Sequence, residues 1–332
     1  MAATERERVS KTRIGGSEVP AIFRAHEFLS EFGLWARKKG GLPPAPASQR
    51  MDVGQILEPS MVRLYAHFTG REAKHFNRSI ADPDRPFMSY SPDAFCTDER
   101  RGIEIKWVNW DQRFNWGNGA NENDIPMRVV LQAWWYMAGM DMDVWDVFAL
   151  IGGMPRVWTI QRDREAEQSM LQRAKEWHER YILGDDRPPM GGTAEAASWL
   201  QHTYPKHREN SLREATPEEI EMLDTYITVR AMLFEAEHER KVLECEIKAA
   251  IGDDEGLRWP WGKFTWRKTK DTEKINWQAI ALGLLNKFVP DAEERKTLIG
   301  IQTRTKPGTR RIHVTHPGLK PEHEEEEQEV SA

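Results

Sequence analysis

Two β-patterned runs joined by a short polar turn constrain this chain more than any other feature. Phe87-Met-Ser-Tyr-Ser-Pro-Asp93-Ala-Phe-Cys96 reads as one strand, Thr97-Asp-Glu-Arg-Arg-Gly102 as the turn, and Ile103-Glu104-Ile105-Lys106-Trp107 as the second strand. Strand side chains alternate between faces, so Glu104 and Lys106 share one face while Ile103, Ile105 and Trp107 share the other. Asp93 precedes Glu104 by eleven residues, and an antiparallel pairing sets the two across from each other. Two carboxylates beside one ammonium are costly to gather without a counter-ion. A hard divalent cation held by oxygens offsets that cost, and Mg²⁺ is the usual one where protein ligands are few.

A helix follows in the sequence. Pro126-Met-Arg-Val-Val-Leu-Gln132-Ala-Trp-Trp-Tyr136-Met-Ala predicts it, with Asp124 as its cap and Pro126 in its first turn. Gln132 and Tyr136 are four residues apart and so share a helical face. Glu-x-Lys alone is a weak signal, because chance supplies such triplets on solvated strand faces of a chain that is 30% charged. Asp93, Glu104, Lys106, Gln132 and Tyr136 together are a strong one, because three elements must agree in order and spacing.

That set resembles the PD-(D/E)xK nuclease superfamily and, within it, the YqaJ-type viral recombinases, relatives of phage lambda exonuclease. The resemblance implies a Mg²⁺-dependent DNA exonuclease of phage recombination, with Mn²⁺ able to substitute. Such an enzyme digests linear double-stranded DNA from a 5′ end and leaves a 3′ single-stranded overhang for annealing. By the same resemblance Asp93, Glu104 and the Ile105 carbonyl hold the metal, and Glu58 completes the shell. Lys106 orients the attacking water, while Gln132 and Tyr136 position water, Lys106 or the DNA backbone. The implied partners are double-stranded DNA ends, a phage single-strand annealing protein and further copies of the chain in a trimeric ring. The sequence departs from the family pattern at Ala94, after the first carboxylate, and at Trp107, after the lysine. Neither change alters a ligand, though both bear on how DNA fits. Two rival readings share this core: an endonuclease, and a catalytically idle DNA-binding or scaffolding protein. Loss of Asp93, Glu104 or Lys106 would favour the idle protein, and all three are present.

Nearer the start, Arg13-Ile-Gly-Gly-Ser17-Glu-Val-Pro20 sets two glycines and a serine before an apolar helix. Read locally, this is either a Ser-capped helix or a turn whose N–H groups favour an anion. YqaJ-type chains begin with a similar segment, which implies that Ser17, and with it Arg13, receives a DNA 5′-phosphate. From Asp52 onward, Val53, Ile56, Leu57, Met61, Leu64, Tyr65 and Phe68 recur with helical period. Pro59 predicts a kink or a restart in that helix. Leu57-Glu58-Pro59 matches a family segment whose glutamate joins the metal site; read alone, Glu58 is a helix glutamate at the stripe's edge.

Residues 144–153 and 156–161 read as a hairpin, and Asp163 opens another helix. With 87–107, these elements predict an α/β (α+β) fold, a mixed central β-sheet flanked by helices. The resemblance implies the same restriction-endonuclease-like core. The expected organisation is a disordered 1–12, a nuclease domain over 13–190, a linker over 191–215, an appendage over 216–314 and an acidic disordered tail over 315–332. In the appendage, Thr216-Pro-Glu-Glu219 is a capping box opening a helical arm with an apolar seam of Ile220, Leu223 and Ile227. Further on, Lys263, Arg267 and Lys268 interleave with tryptophans. That pattern suits phosphate contacts with base stacking, and it equally suits a hairpin with a tryptophan core. Residues 301–314 carry the same ambiguity.

A net charge of −6 argues against a DNA enzyme until the tail is considered, since Glu322–Glu329 alone carries six negative charges. Without it the formal charge is zero, and the local distribution decides. Cys96 and Cys245 are too few for a disulfide framework or a four-cysteine cluster. The absence of a bilayer-length apolar run and the charged N-terminus predict a cytoplasmic protein without membrane partners, in the host cytoplasm for a phage-encoded chain. No phosphate-loop lysine or Ser/His/Asp set points to ATP-driven or serine chemistry.

Overall fold

The computed structural model describes residues 12–43, 49–76, 78–117, 124–269, 275–289 and 291–302. These fall into one unit ending at Pro205 and a second beginning at Lys206. Three helices open the first unit: α1 (Val19–Ile22), α2 (Glu31–Lys38) and α3 (Gln49–Thr69). Seven strands follow: β1 (Ala73–His75), β2 (Ile80–Ala81), β3 (Ser89–Tyr90), β4 (Ala94–Cys96), β5 (Arg101–Val108), β6 (Val144–Ile151) and β7 (Met154–Gln161). Between β5 and β6 lies α4 (Met127–Met140), and α5 (Arg164–Trp177) and α6 (Ala194–Thr203) come after β7.

The main sheet has the order β1-β4-β5-β6-β7. Only β5 and β6 run parallel, and α4 supplies the crossover that a parallel pair needs. This is the mixed sheet expected from the sequence. Alternation assigns each face its helices. Val147 and Ala149 of β6 are buried with Val129 and Tyr136 of α4, while Ile103, Ile105 and Phe148 are buried with Met61, Val62 and Tyr65 of α3. A buried network ties α3 to the second face. Asp146 accepts from Tyr65 Oη at 2.6 Å, Arg101 Nη1 at 2.6 Å and Thr159 Oγ1 at 2.7 Å.

Several expectations need correction. Residues 87–96 are two short strands rather than one: β3 pairs with β2 in a separate ladder, and β4 joins the main sheet. Pro92, which cannot donate to a ladder, stands between them. Helix α3 continues through Pro59 without a restart. Of its apolar stripe Met61 and Tyr65 are buried, as is Val62 beside them, whereas Ile56 and Phe68 face outward. Pro126, not Asp124, occupies the N-cap position of α4. The segment expected as a linker over 191–215 contains α6, capped by Thr193, with Trp199 packed edge-on against Phe32.

In the second unit, α7 (Pro217–Ile251) begins with the expected capping box, the Thr216 and Glu219 side chains each satisfying the other's N–H. The hairpin of β8 (Gly256–Trp259) and β9 (Gly262–Thr265) follows, then α8 (Trp277–Phe288) and α9 (Ala292–Gln302). Its tryptophans do not form a core: Trp259, Trp261 and Trp266 are all exposed. Ile220 and Leu223 of the α7 seam are exposed as well. The basic stretch over 303–314 and the acidic tail lie outside the described residues.

Candidate active site

β4 is short, and this shapes the site. It pairs with β5 only at Gly102 and Ile103, through Phe95 and Ala94. Beyond Ile103 the β4 side of β5 has no ladder partner, and the Ile105 N–H is taken instead by Asp93 Oδ2 at 2.7 Å. Continuing the register places Asp93 opposite Glu104, as the spacing predicted. Glu104 and Lys106 point to the α4 face. Lys106 Nζ donates to Glu104 Oε1 and, at 3.2 Å, to Gln132 Oε1. Gln132 Nε2 in turn donates to Tyr136 Oη at 3.1 Å. The four-residue spacing on α4 thus becomes one hydrogen-bonded chain from Glu104 to Tyr136.

These groups line one cavity of about 640 Å³, which Ser17, Glu58, Asp93, Glu104, Ile105, Lys106, Gln132 and Tyr136 all reach. Eight of the twelve residues expected at the site therefore converge. Glu104 is fully buried, and its Oε2 has no hydrogen-bond partner among the described residues. Burial and the Glu104 charge push Asp93 well above the usual carboxylate range, against the pull of Lys106. Burial likewise raises Glu104, again opposed by Lys106. For Lys106, burial acts to lower the ammonium, but the Glu104 and Asp93 carboxylates outweigh it and hold it above the usual lysine value. Burial and the same two carboxylates keep Tyr136 protonated far into base.

Glu58 projects from α3 into the cavity and meets His75 of β1, with Nε2 to Oε1 at 2.6 Å. The sequence reading passed over His75, because a lone histidine in a three-residue strand carries no spacing signal. Asp93, Glu104 and Glu58 do not bring their ligand atoms within 4.8 Å of one another. Among the described residues the group of three that does is Cys96, Asp98 and Glu99, and there Glu99 is already paired with Arg71 and Arg101.

The Gly-Gly-Ser turn sits at the cavity wall, but not as a helix N-terminus of any length. Helix α1 has four residues, and Glu18 rather than Ser17 is its N-cap. Glu18 Oε2 accepts the Gly15 N–H at 2.7 Å and pairs with the buried Lys38 at 2.8 Å. Ser17 is exposed and lines the cavity. Arg13 does not line it; its Nη1 donates to the Asp82 and Met88 carbonyls at 3.0 and 3.1 Å. Lys263, Arg267 and Lys268 belong to the second unit and are exposed there, with Arg267 paired to Glu255 at 2.8 Å.

Residues 7–143, which include every cavity-lining residue named above, match the YqaJ-like viral recombinase domain family. The uncharacterized protein YqaJ of Bacillus subtilis (strain 168) is 23% identical over 246 residues, which is 73% of this chain and 76% of that protein. Among solved structures, the chain is similar to an alkaline exonuclease, LHK-Exo, from Laribacter hongkongensis, at 18% identity and TM-score 0.43 over 53% of this chain and 91% of that one. The complex of LHK-Exo with dAMP aligns at 17% identity and TM-score 0.44, over 54% and 93%. The family match reaches past Tyr136 but stops before β6.

Proposed function

We propose that this chain is a divalent-metal-dependent deoxyribonuclease that degrades linear DNA from its ends, as an exonuclease of viral recombination. The observation that carries this reading is the convergence of Asp93, Glu104, Lys106, Gln132 and Tyr136, in sequence order, on a single cavity of the YqaJ-like domain. The residues fit a cation. Glu104 presents a buried carboxylate oxygen with no partner among the described residues, and Asp93 is raised well above its usual range by burial and by Glu104. Both costs fall when positive charge enters between them.

In this reading Asp93, Glu104 and the Ile105 carbonyl would hold the ion and Glu58 would complete its set of ligands; Mg²⁺ is the expected metal and Mn²⁺ its substitute. When bound, the ion polarises the scissile phosphate and stabilises the leaving oxygen. The rest falls to the chain. Lys106, kept charged by its two carboxylates, places an ammonium where negative charge develops on the phosphate and orients the attacking water. Gln132 fixes the Lys106 amine by accepting from it, and Tyr136, protonated at working pH, anchors the Gln132 amide. Ser17, exposed at the rim, supplies a hydroxyl for a terminal phosphate and so the preference for an end. Digestion then runs from the 5′ terminus and leaves a 3′ overhang. DNA ends are the substrate, with an annealing protein and further copies of the chain as partners.

The test uses duplex DNA labelled at a single 5′ or 3′ terminus, digested with Mg²⁺ and with EDTA. Mg²⁺-dependent release of 5′-terminal mononucleotide is expected, faster from a 5′-phosphate than from a 5′-hydroxyl, with the difference reduced in Ser17→Ala. Release that begins at the 3′ label would reverse the polarity, and cleavage unaffected by EDTA would remove the metal.

A further inference from the structure

The geometry points to His75 as the residue that positions Glu58 for the metal site. This inference rests on the function proposed above and assigns a role to a side chain outside that set. Glu58 comes from α3, which packs on the opposite sheet face from Glu104 and Lys106, so it must be brought to the cavity from the far side. A helix-borne glutamate has three rotatable bonds, and free rotation would spread its carboxylate over several ångströms. His75 restricts that motion with the 2.6 Å contact from Nε2 to Glu58 Oε1.

The backbone around His75 makes the contact specific. β1 pairs with β4 so that His75 stands opposite Ala94, the residue after Asp93. The next N–H, of Phe76, donates to the Asp93 carbonyl at 2.8 Å. One edge strand therefore fixes the main chain of Asp93 and the side chain of Glu58 together. The distance between these two carboxylates, carried on separate elements, is set by β1. The Glu58 charge already acts on both Asp93 and Glu104, raising each. Outer partners of this kind orient a ligand and strengthen its hold on the ion.

The experiment measures Mn²⁺ binding to the full chain by calorimetry, without DNA, alongside cleavage. His75→Ala is expected to weaken Mn²⁺ by roughly 10–100-fold, the range for loss of an orienting partner. His75→Gln, which keeps a donor at the end of a similar chain, should recover much of that loss. In a Glu58→Gln background, His75→Ala should change Mn²⁺ affinity little, because the group it orients is already disabled. Thermal melting of each variant in EDTA checks folding. Unchanged affinity in His75→Ala, or an equal loss with and without Glu58, would overturn the inference while leaving the nuclease reading standing. A wild-type chain that binds no Mn²⁺ and cleaves no DNA would overturn both.

Discussion

The Gly16 backbone lies directly against the Tyr136 ring: a Cβ at position 16 would come within 2.4 Å of Tyr136 Cε1 and 2.9 Å of its hydroxyl oxygen. The glycine turn at the cavity wall and the tyrosine of α4 are thus in van der Waals contact, and through Gln132 that contact adjoins Lys106. Tyr136 cannot retreat freely, because its other side packs on Trp145 with ring centroids 5.6 Å apart. Gly16→Ala should therefore cost about 1–3 kcal/mol, as overpacking of a filled site does, and should slow cleavage by displacing Tyr136. Gly15→Ala is the matched control, since its Cβ would meet the Glu18 carboxylate no closer than 3.4 Å. Urea denaturation and turnover of the two variants should separate them; equal losses would show that the Tyr136 contact is not what requires the glycine.

Asp93 and Glu104 make the stability of the apoprotein depend on pH. Unfolded, such carboxyls titrate near about 4. Folded, burial raises both, so between the two values the folded state binds more protons than the unfolded. Stability in EDTA should then fall as pH rises through that window, and Mg²⁺ should restore it. Asp93→Asn and Glu104→Gln remove the charge with little change of shape. Each should raise the EDTA melting temperature at neutral pH while abolishing Mg²⁺-dependent cleavage. A lowered melting temperature for both would show that the carboxylates stabilise the fold.

Lys106→Ala should bind Mn²⁺ and DNA and lose turnover by roughly 10²–10³-fold, the scale for a positioned electrostatic group. Single-turnover kinetics at saturating metal isolates the step. A variant with wild-type turnover once metal is saturating would assign the lysine to holding Glu104 instead.

How much of this was legible beforehand follows from the range of the signals. The β5 carboxylate and lysine, and the Gln-x-x-x-Tyr face of α4, were readable because strand and helix periods fix faces locally. Asp93 was readable because one turn separates it from Glu104. The split of 87–96 is not legible in the apolar pattern, which runs on through Pro92. α6 is not legible because the polar, glycine-, alanine- and serine-containing stretch 191–215 reads as a linker, and Phe32, the partner of Trp199, lies far away in sequence. His75 acts through its contact with Glu58, and Lys38 through contacts with Glu18 and the Arg13 carbonyl, which no local pattern reports.

Asp146 makes a prediction on the other sheet face. It is fully buried and accepts from three donors, one of them Tyr65. Tyr65→Phe leaves Arg101 and Thr159 in place and removes one hydrogen bond to a buried carboxylate, a loss of roughly 1–3 kcal/mol. Denaturant unfolding should show it. Because α3 also carries Glu58, metal affinity should weaken alongside. An unchanged unfolding midpoint would mean that the hydroxyl contributes nothing net.

The most direct test of the central claim compares two forms of one DNA. Uniformly labelled plasmid is supplied either linearised, with 5′-phosphates, or as covalently closed circles, and is incubated with the wild-type chain and with Glu104→Gln in Mg²⁺. The account predicts that the linear form is degraded to acid-soluble nucleotide, that the closed circle survives, and that Glu104→Gln degrades neither. Degradation of the closed circle at the rate of the linear form, or full activity in Glu104→Gln, would contradict it.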